Sequence, residues 1–128
     1  MPESPRVIGV LGAGAWGTAL AVQLARVQTQ VSLWARDPAH LVQIIAEHEN
    51  RRYLKGVPIP ANIMPAAQLE QLLKTAHYII VATPSSSMRS IMQAINCYHS
   101  DALHGVIWAA KGLEQETGKF LHEVAAEE

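Results

Sequence analysis

Charge and cysteine are both scarce in this chain. Only 16% of its residues are charged, against about 25% in an average soluble domain. Ten basic and eleven acidic side chains leave a formal net charge of −1. Without a global field, recruitment by nucleic acid or by an anionic membrane surface is not expected, and any anion must be held locally. The single cysteine, Cys97, cannot form an internal disulfide and fits a reducing compartment. With no basic neighbour to lower its pKa, it is expected as a small buried hydrophobe rather than a reactive thiol. Histidines 40, 48, 77, 99, 104 and 122 form no H-E-x-x-H or comparable ligand pattern, so they read as surface or satisfied polar residues and no metal is expected. Ser85, Ser86 and Ser87 lack a G-x-S-x-G elbow, and Ser85 or Ser86 is expected to cap a helix rather than act as a nucleophile.

What is present is apolar: 49% of the 128 residues are hydrophobic. That excludes disorder for most of the chain and suits one domain whose core buries roughly two thirds of the unfolded surface. The stretch Val7 to Ala25 carries no charge and follows Arg6, the superficial pattern of a membrane span or signal peptide. Gly9, Gly12, Gly14 and Gly17 would interrupt any helix begun at Val7, whereas a strand, a tight turn and a buried helix use the whole run. A soluble, cytoplasmic chain is expected.

Apolar runs and punctuation alternate as strand, helix, strand, helix. The pattern predicts strands over Arg6–Leu11, Gln30–Ala35, Tyr78–Thr83 and Gly105–Ala110, with helices over Ala15–Val27, from Asp37-Pro38 to about Glu49, and Gln68–Thr75. A further helix after Pro84 should bury Met88, Ile91, Met92 and Ile95, and Thr117–Glu128 also reads as helical. Pro58, Pro60 and Pro65 make 50–65 an irregular connection with a short edge strand near Asn62–Met64. Fully apolar strands separated by helices imply a parallel sheet covered on both faces, a doubly wound Rossmann-type α/β fold. In that fold Gly12, Arg36, Pro84 and Lys111, each just past a strand, gather on one rim.

Gly12-Ala13-Gly14-Ala15-Trp16-Gly17 matches G-x-G-x-x-G between a strand and a helix, the context that gives the pattern its value. Gly12 permits the tight turn, Gly14 lets the backbone approach a pyrophosphate, and Gly17 allows close helix–strand packing. The helix amides then hold the anion without a cationic side chain at that point. The second strand ends at Arg36, where NAD enzymes usually place an acid, and a guanidinium suits a 2′-phosphate; this tilts the cofactor towards NADP while leaving NAD open. Asp37, the competing ribose ligand, reads better as a helix cap because Pro38 follows it. Trp16 either shields the cofactor or faces the core. Tyr53, with Arg51 and Arg52, either stacks at the adenine end or lies in a solvated loop, and spacing alone favours the loop. Lys111 either meets a ligand anion or simply reaches solvent.

Several segments together resemble the bacterial NAD(P)-dependent glycerol-3-phosphate dehydrogenase family: Gly12 to Ala21, Leu33 to Asp37, Asn50 to Pro60, Ala82 to Ser85 and Trp108 to Glu114. The resemblance implies that 1–128 is an N-terminal NAD(P)-binding domain, an incomplete fragment lacking the family's C-terminal helical domain. It also implies hydride transfer between NADPH or NADH and dihydroxyacetone phosphate, giving sn-glycerol 3-phosphate for phospholipid synthesis. By carry-over Ala15, Trp16, Arg36 and Tyr53 line the cofactor site, and Lys111 reaches nicotinamide and substrate as the catalytic cation. The partner is this small-molecule substrate, with a homo-oligomer of the full-length protein left open. Lys55 stands where the family commonly has proline. A non-catalytic NADP(H)-sensing module and a β-hydroxyacid or ketopantoate-type dehydrogenase share the fold and the fingerprint, and are the competing readings.

Overall fold

The computed structural model describes residues 6–27 and 30–108; Lys111 and the expected helix over Thr117–Glu128 lie outside these described residues. The chain runs through β1 (Val7–Leu11), α1 (Ala15–Arg26), β2 (Gln30–Trp34), α2 (Pro38–Glu47), β3 (Glu49–Asn50), β4 (Leu54–Pro58), β5 (Ile63–Pro65), α3 (Leu69–Thr75), β6 (Tyr78–Val81), α4 (Met88–Tyr98) and β7 (Gly105–Trp108). Five strands form one sheet in the order β5-β2-β1-β6-β7, every neighbouring pair parallel. β3 and β4 form a separate antiparallel hairpin.

Alternation along the strands sends side chains to opposite faces. Val10, Val31, Leu33 and Ile80 pack with Ala21, Val22 and Ala25 of α1 and with Leu41 and Ile44 of α2. Leu11, Ile79 and Val81 pack on the other face with Leu72 and Leu73 of α3 and Met88, Ile91 and Ile95 of α4. Each fully buried aliphatic side chain contributes roughly 1.5–3 kcal/mol. From β1 the chain winds outward to β2 and β5 beneath α1 and α2. It then returns across the opposite face through α3 to β6, on the other side of β1. The order therefore reverses between β1 and β6, and the crevice beyond their carboxyl ends is where this architecture binds ligands.

The fold differs locally from the expectations. The strands expected to end at Ala35 and Thr83 stop at Trp34 and Val81, and α2 stops at Glu47 because His48 turns into the left-handed region at φ 53°. The connection expected to be irregular contains the β3–β4 hairpin, with β5 displaced by one residue to Ile63–Pro65. The N-cap position of α4 falls on Ser87, one residue past the expected pair: Ser85–Ser87 form a 3₁₀ turn, Ser87 makes no side-chain cap bond, and its N–H donates to the Pro84 carbonyl at 2.9 Å. Cys97 is exposed, not buried. It lies about 200° around α4 from Ile95, at 100° per residue, and so points away from the Met88–Ile91–Ile95 stripe.

Candidate nucleotide-binding site

The turn after β1 is wedged between its neighbours. The Gly12 N–H donates to the Trp34 carbonyl at 2.8 Å on the β2 side, and the Ala82 N–H donates to the Leu11 carbonyl at 2.8 Å on the β6 side. Gly12 has φ +113°, and a Cβ there would lie 2.9 Å from the Ala82 backbone. Gly17 is needed for a different reason: a Cβ on it would sit 1.9 Å from the Gly12 carbonyl oxygen. Side chains are thus excluded at both ends of the turn, which lets α1 start directly over the strand ends.

A cavity of about 510 Å³ opens above this turn. Gly12, Ala13, Gly14, Ala15 and Trp16 form its floor, and Ala35, Arg36, Asp37 and His40 one wall. Arg52 and Tyr53 of the hairpin enter from the side, while Ala82, Thr83, Pro84, Ser86 and Ser87 close the β6 side.

The floor presents unpaired hydrogen-bond donors. The first helical hydrogen bond of α1 runs from Thr18 N–H to the Gly14 carbonyl at 3.0 Å, so the amides of Ala15, Trp16 and Gly17 precede the ladder. Gly14 occupies the N-cap without a side-chain cap bond, and the first turn carries no acid. The positive end of the helix is therefore not neutralised locally. A Cβ on Gly14 would meet nothing within 4 Å, the open space a closely approaching group would occupy. On the β6 side the Thr83 hydroxyl is buried with no hydrogen-bond partner, a state that costs about 1–3 kcal/mol and that a bound polar ligand can relieve. These three features, found in one cavity, fit a dinucleotide with its pyrophosphate on the turn.

The Arg51–Arg52–Tyr53 trio divides. Arg51 pairs with Glu47 at 3.4 Å along the exposed surface. Arg52 instead lies over the Tyr53 ring, 5.2 Å from its centroid, and His40 meets the same ring edge-on at 5.4 Å and 83°. All three residues stay exposed in the hairpin turn, as the loop reading expected, with Tyr53 47% exposed, and Arg52 and Tyr53 also line the cavity. Asp37 does cap α2: its Oδ1 accepts from the Ala39 N–H at 3.0 Å, and Pro38 fills the first helical position.

Residues 7–128 match the family described as NAD-dependent glycerol-3-phosphate dehydrogenase N-terminus. The chain belongs to that family. It is 42% identical over 121 residues to glycerol-3-phosphate dehydrogenase, NAD(P)+, of Thioalkalivibrio sulfidiphilus, covering 94% of this chain and 36% of the relative. It is 45% identical over 120 residues to the enzyme of the same name from Stenotrophomonas maltophilia strain R551-3, covering 94% and 35%. Among solved structures, that of glycerol-3-phosphate dehydrogenase from Coxiella burnetii superposes with a TM-score of 0.87 at 33% identity, over 97% of this chain and 38% of that one. The chain thus spans about a third of the length of the curated relatives it matches.

Within this dehydrogenase-family domain, Gly12, Gly14, Ala15, Trp16, Arg36 and Tyr53 come together at one cavity. Gly17 stands behind it as a packing glycine. Trp16 is 59% exposed, so it does not face the core. Lys111 lies outside the described residues. His40, Thr83 and the buried pair Thr18 and Asn50 stand at the site without having been expected there. Of these His40 has a sequence signal, as a first-turn residue of the helix that follows Arg36. Asn50 had no signal short of the folded hairpin. Among the described residues no group of three or more His, Cys, Asp or Glu is placed to hold a metal ion, and no helix is long and apolar enough to cross a membrane.

Proposed function

We propose that this chain is the nucleotide-binding portion of a cytoplasmic NAD(P)-dependent glycerol-3-phosphate dehydrogenase. In this reading the bound dinucleotide supplies or accepts hydride in the interconversion of dihydroxyacetone phosphate and sn-glycerol 3-phosphate, in the reductive direction for phospholipid synthesis. The observation that carries it is the set of uncapped α1 amides over the open face of Gly14, at the reversal of strand order. Ala15 and Trp16 line the pyrophosphate end, and Tyr53 offers an exposed aromatic face to adenine.

Cofactor preference falls to NADP over NAD. Two guanidinium groups line the cavity, Arg36 beyond β2 and Arg52 from the hairpin, and the one acid among its lining residues, Asp37, already accepts a backbone hydrogen bond. Arginine forks match a 2′-phosphate, and the cavity offers little to reward a bare ribose. Lys111 is assigned the reacting end, where a cation stabilises negative charge developing on the carbonyl oxygen as hydride arrives at carbon and a proton follows to oxygen.

Calorimetric titration of the chain with NADPH and NADH tests the reading. NADPH is expected to bind at least about fivefold tighter, and Arg36→Ala to remove most of that gap by deleting one charge-assisted contact worth about 1.5–3 kcal/mol. Heat from neither coenzyme would overturn the proposal.

A further inference from the structure

Asn50 is fully buried, and its carboxamide makes three hydrogen bonds into three different pieces of chain. Its Nδ2 donates to the Ala13 carbonyl at 2.9 Å and to the Thr18 hydroxyl at 2.8 Å, while its Oδ1 accepts from the Tyr53 N–H at 3.2 Å. Thr18, on the first turn of α1, is also fully buried. The Ala13 carbonyl has a second partner in His40 Nε2 at 3.1 Å. An apolar residue would fill this volume without the cost of desolvating an amide. What the amide adds is direction, because each of its bonds fixes an orientation as well as a distance.

Two consequences follow for the cavity. A trans peptide points its carbonyl and the next N–H in opposite directions. Holding the Ala13 carbonyl on Asn50 and His40 therefore fixes the facing of the Gly14 N–H in the floor. The bond to the Tyr53 N–H also pins the hairpin turn that carries Arg52 and Tyr53, so the aromatic wall and the anion-binding floor share one anchor. We infer that Asn50, acting with Thr18, is a positioning residue that sets the adenosine-side wall at a fixed spacing from the pyrophosphate turn before nucleotide arrives. This rests on the nucleotide-binding reading. Ordering the hairpin in advance removes an entropic cost from binding.

A double-mutant cycle on the chain tests the coupling, with NADPH affinity as the readout. Tyr53→Ala is expected to weaken binding about tenfold, the loss of one base-stacking surface. In an Asn50→Ala background the same change should cost less than about twofold, because an untethered Tyr53 no longer stands where adenine lies. Thr18→Val, nearly isosteric, provides the same cycle should Asn50→Ala fail to fold, and Thr18→Ser should restore binding relative to Thr18→Val. Additive costs in a chain that binds NADPH would overturn the tether alone. Absence of NADPH binding by the unmutated chain would overturn the nucleotide reading and the tether with it.

Discussion

Gly14 and Gly17 stand three residues apart in one motif, yet the space around them differs completely. A Cβ on Gly14 points into the open cavity, and its backbone, at φ −77° and ψ −169°, is one that any residue adopts. A Cβ on Gly17 collides with the Gly12 carbonyl oxygen, a backbone atom that cannot rotate away. Gly14→Ala should therefore leave folding almost intact, with a loss under about 1 kcal/mol for the poorer N-cap. It should weaken NADPH binding more than tenfold by filling the approach to the amides. Gly17→Ala should destabilise the chain by about 1–3 kcal/mol or more through overpacking. Urea denaturation beside NADPH titration separates the two. Equal stability losses would mean that the turn is merely a packing device. The motif alone already assigned these roles, because glycine's uses at a strand-to-helix turn are few. What it could not give was the partner atom at each position.

Elements were legible where a local signal was strong and obscure where it was distributed. Asp37-Pro38 marked the start of α2 because cap and first-turn proline act within four residues, and the Asp37–Ala39 bond bears this out. The hairpin escaped because β3 has only two residues, its register with β4 shifts between Glu49 and Asn50, and Gly56 sits at φ +85°. No period-two pattern survives such a geometry, and the prolines around it suggested only irregularity. The part of the site legible in the sequence is the part carried by strand ends: Gly12, Arg36 and Pro84. The part that was not, Asn50 with the Thr18 it holds, depends on how the hairpin lies over the turn and α1. Between α2 and the hairpin, His48 closes the helix in the left-handed region, where a β-carbon is strained by roughly 1–2 kcal/mol. Its carbonyl accepts from the Ile59 N–H at 2.8 Å, a backbone bond that any residue there would keep. His48→Gly should thus stabilise the chain by about 0.5–1 kcal/mol after the added flexibility of the unfolded state is subtracted. NADPH affinity should be unchanged, since His48 does not line the cavity. A lower urea midpoint in the variant would show that the imidazole contributes more than the strain costs.

At the scale of the whole molecule, the cavity gathers residues from both halves of the winding: the turn and α2 from the half that runs outward, Thr83 to Ser87 from the half that returns. A ligand seated there bonds across the reversal, so it should stabilise the folded chain as a unit rather than one lobe. Mass action fixes the size: at free NADPH one hundred times its dissociation constant the gain is about 2.7 kcal/mol. For a chain of this length each kcal/mol corresponds to roughly 3–5 °C in the midpoint, giving about 8–13 °C in a thermal melt. Because the net charge is only −1, general electrostatic attraction supplies little of this, and the shift should depend on Arg36 and Arg52. Turnover is another matter. Reduction of dihydroxyacetone phosphate requires ligands for the substrate phosphate and a proton for the new hydroxyl, and in the proposed reading the cavity's described residues serve the dinucleotide. The expected outcome is a large NADPH-dependent rise in midpoint with no oxidation of NADPH at 340 nm when dihydroxyacetone phosphate is added. Measurable oxidation would place the substrate groups within these 128 residues and overturn that expectation. A rise confined to one of two resolved transitions would contradict the bridging of the two halves.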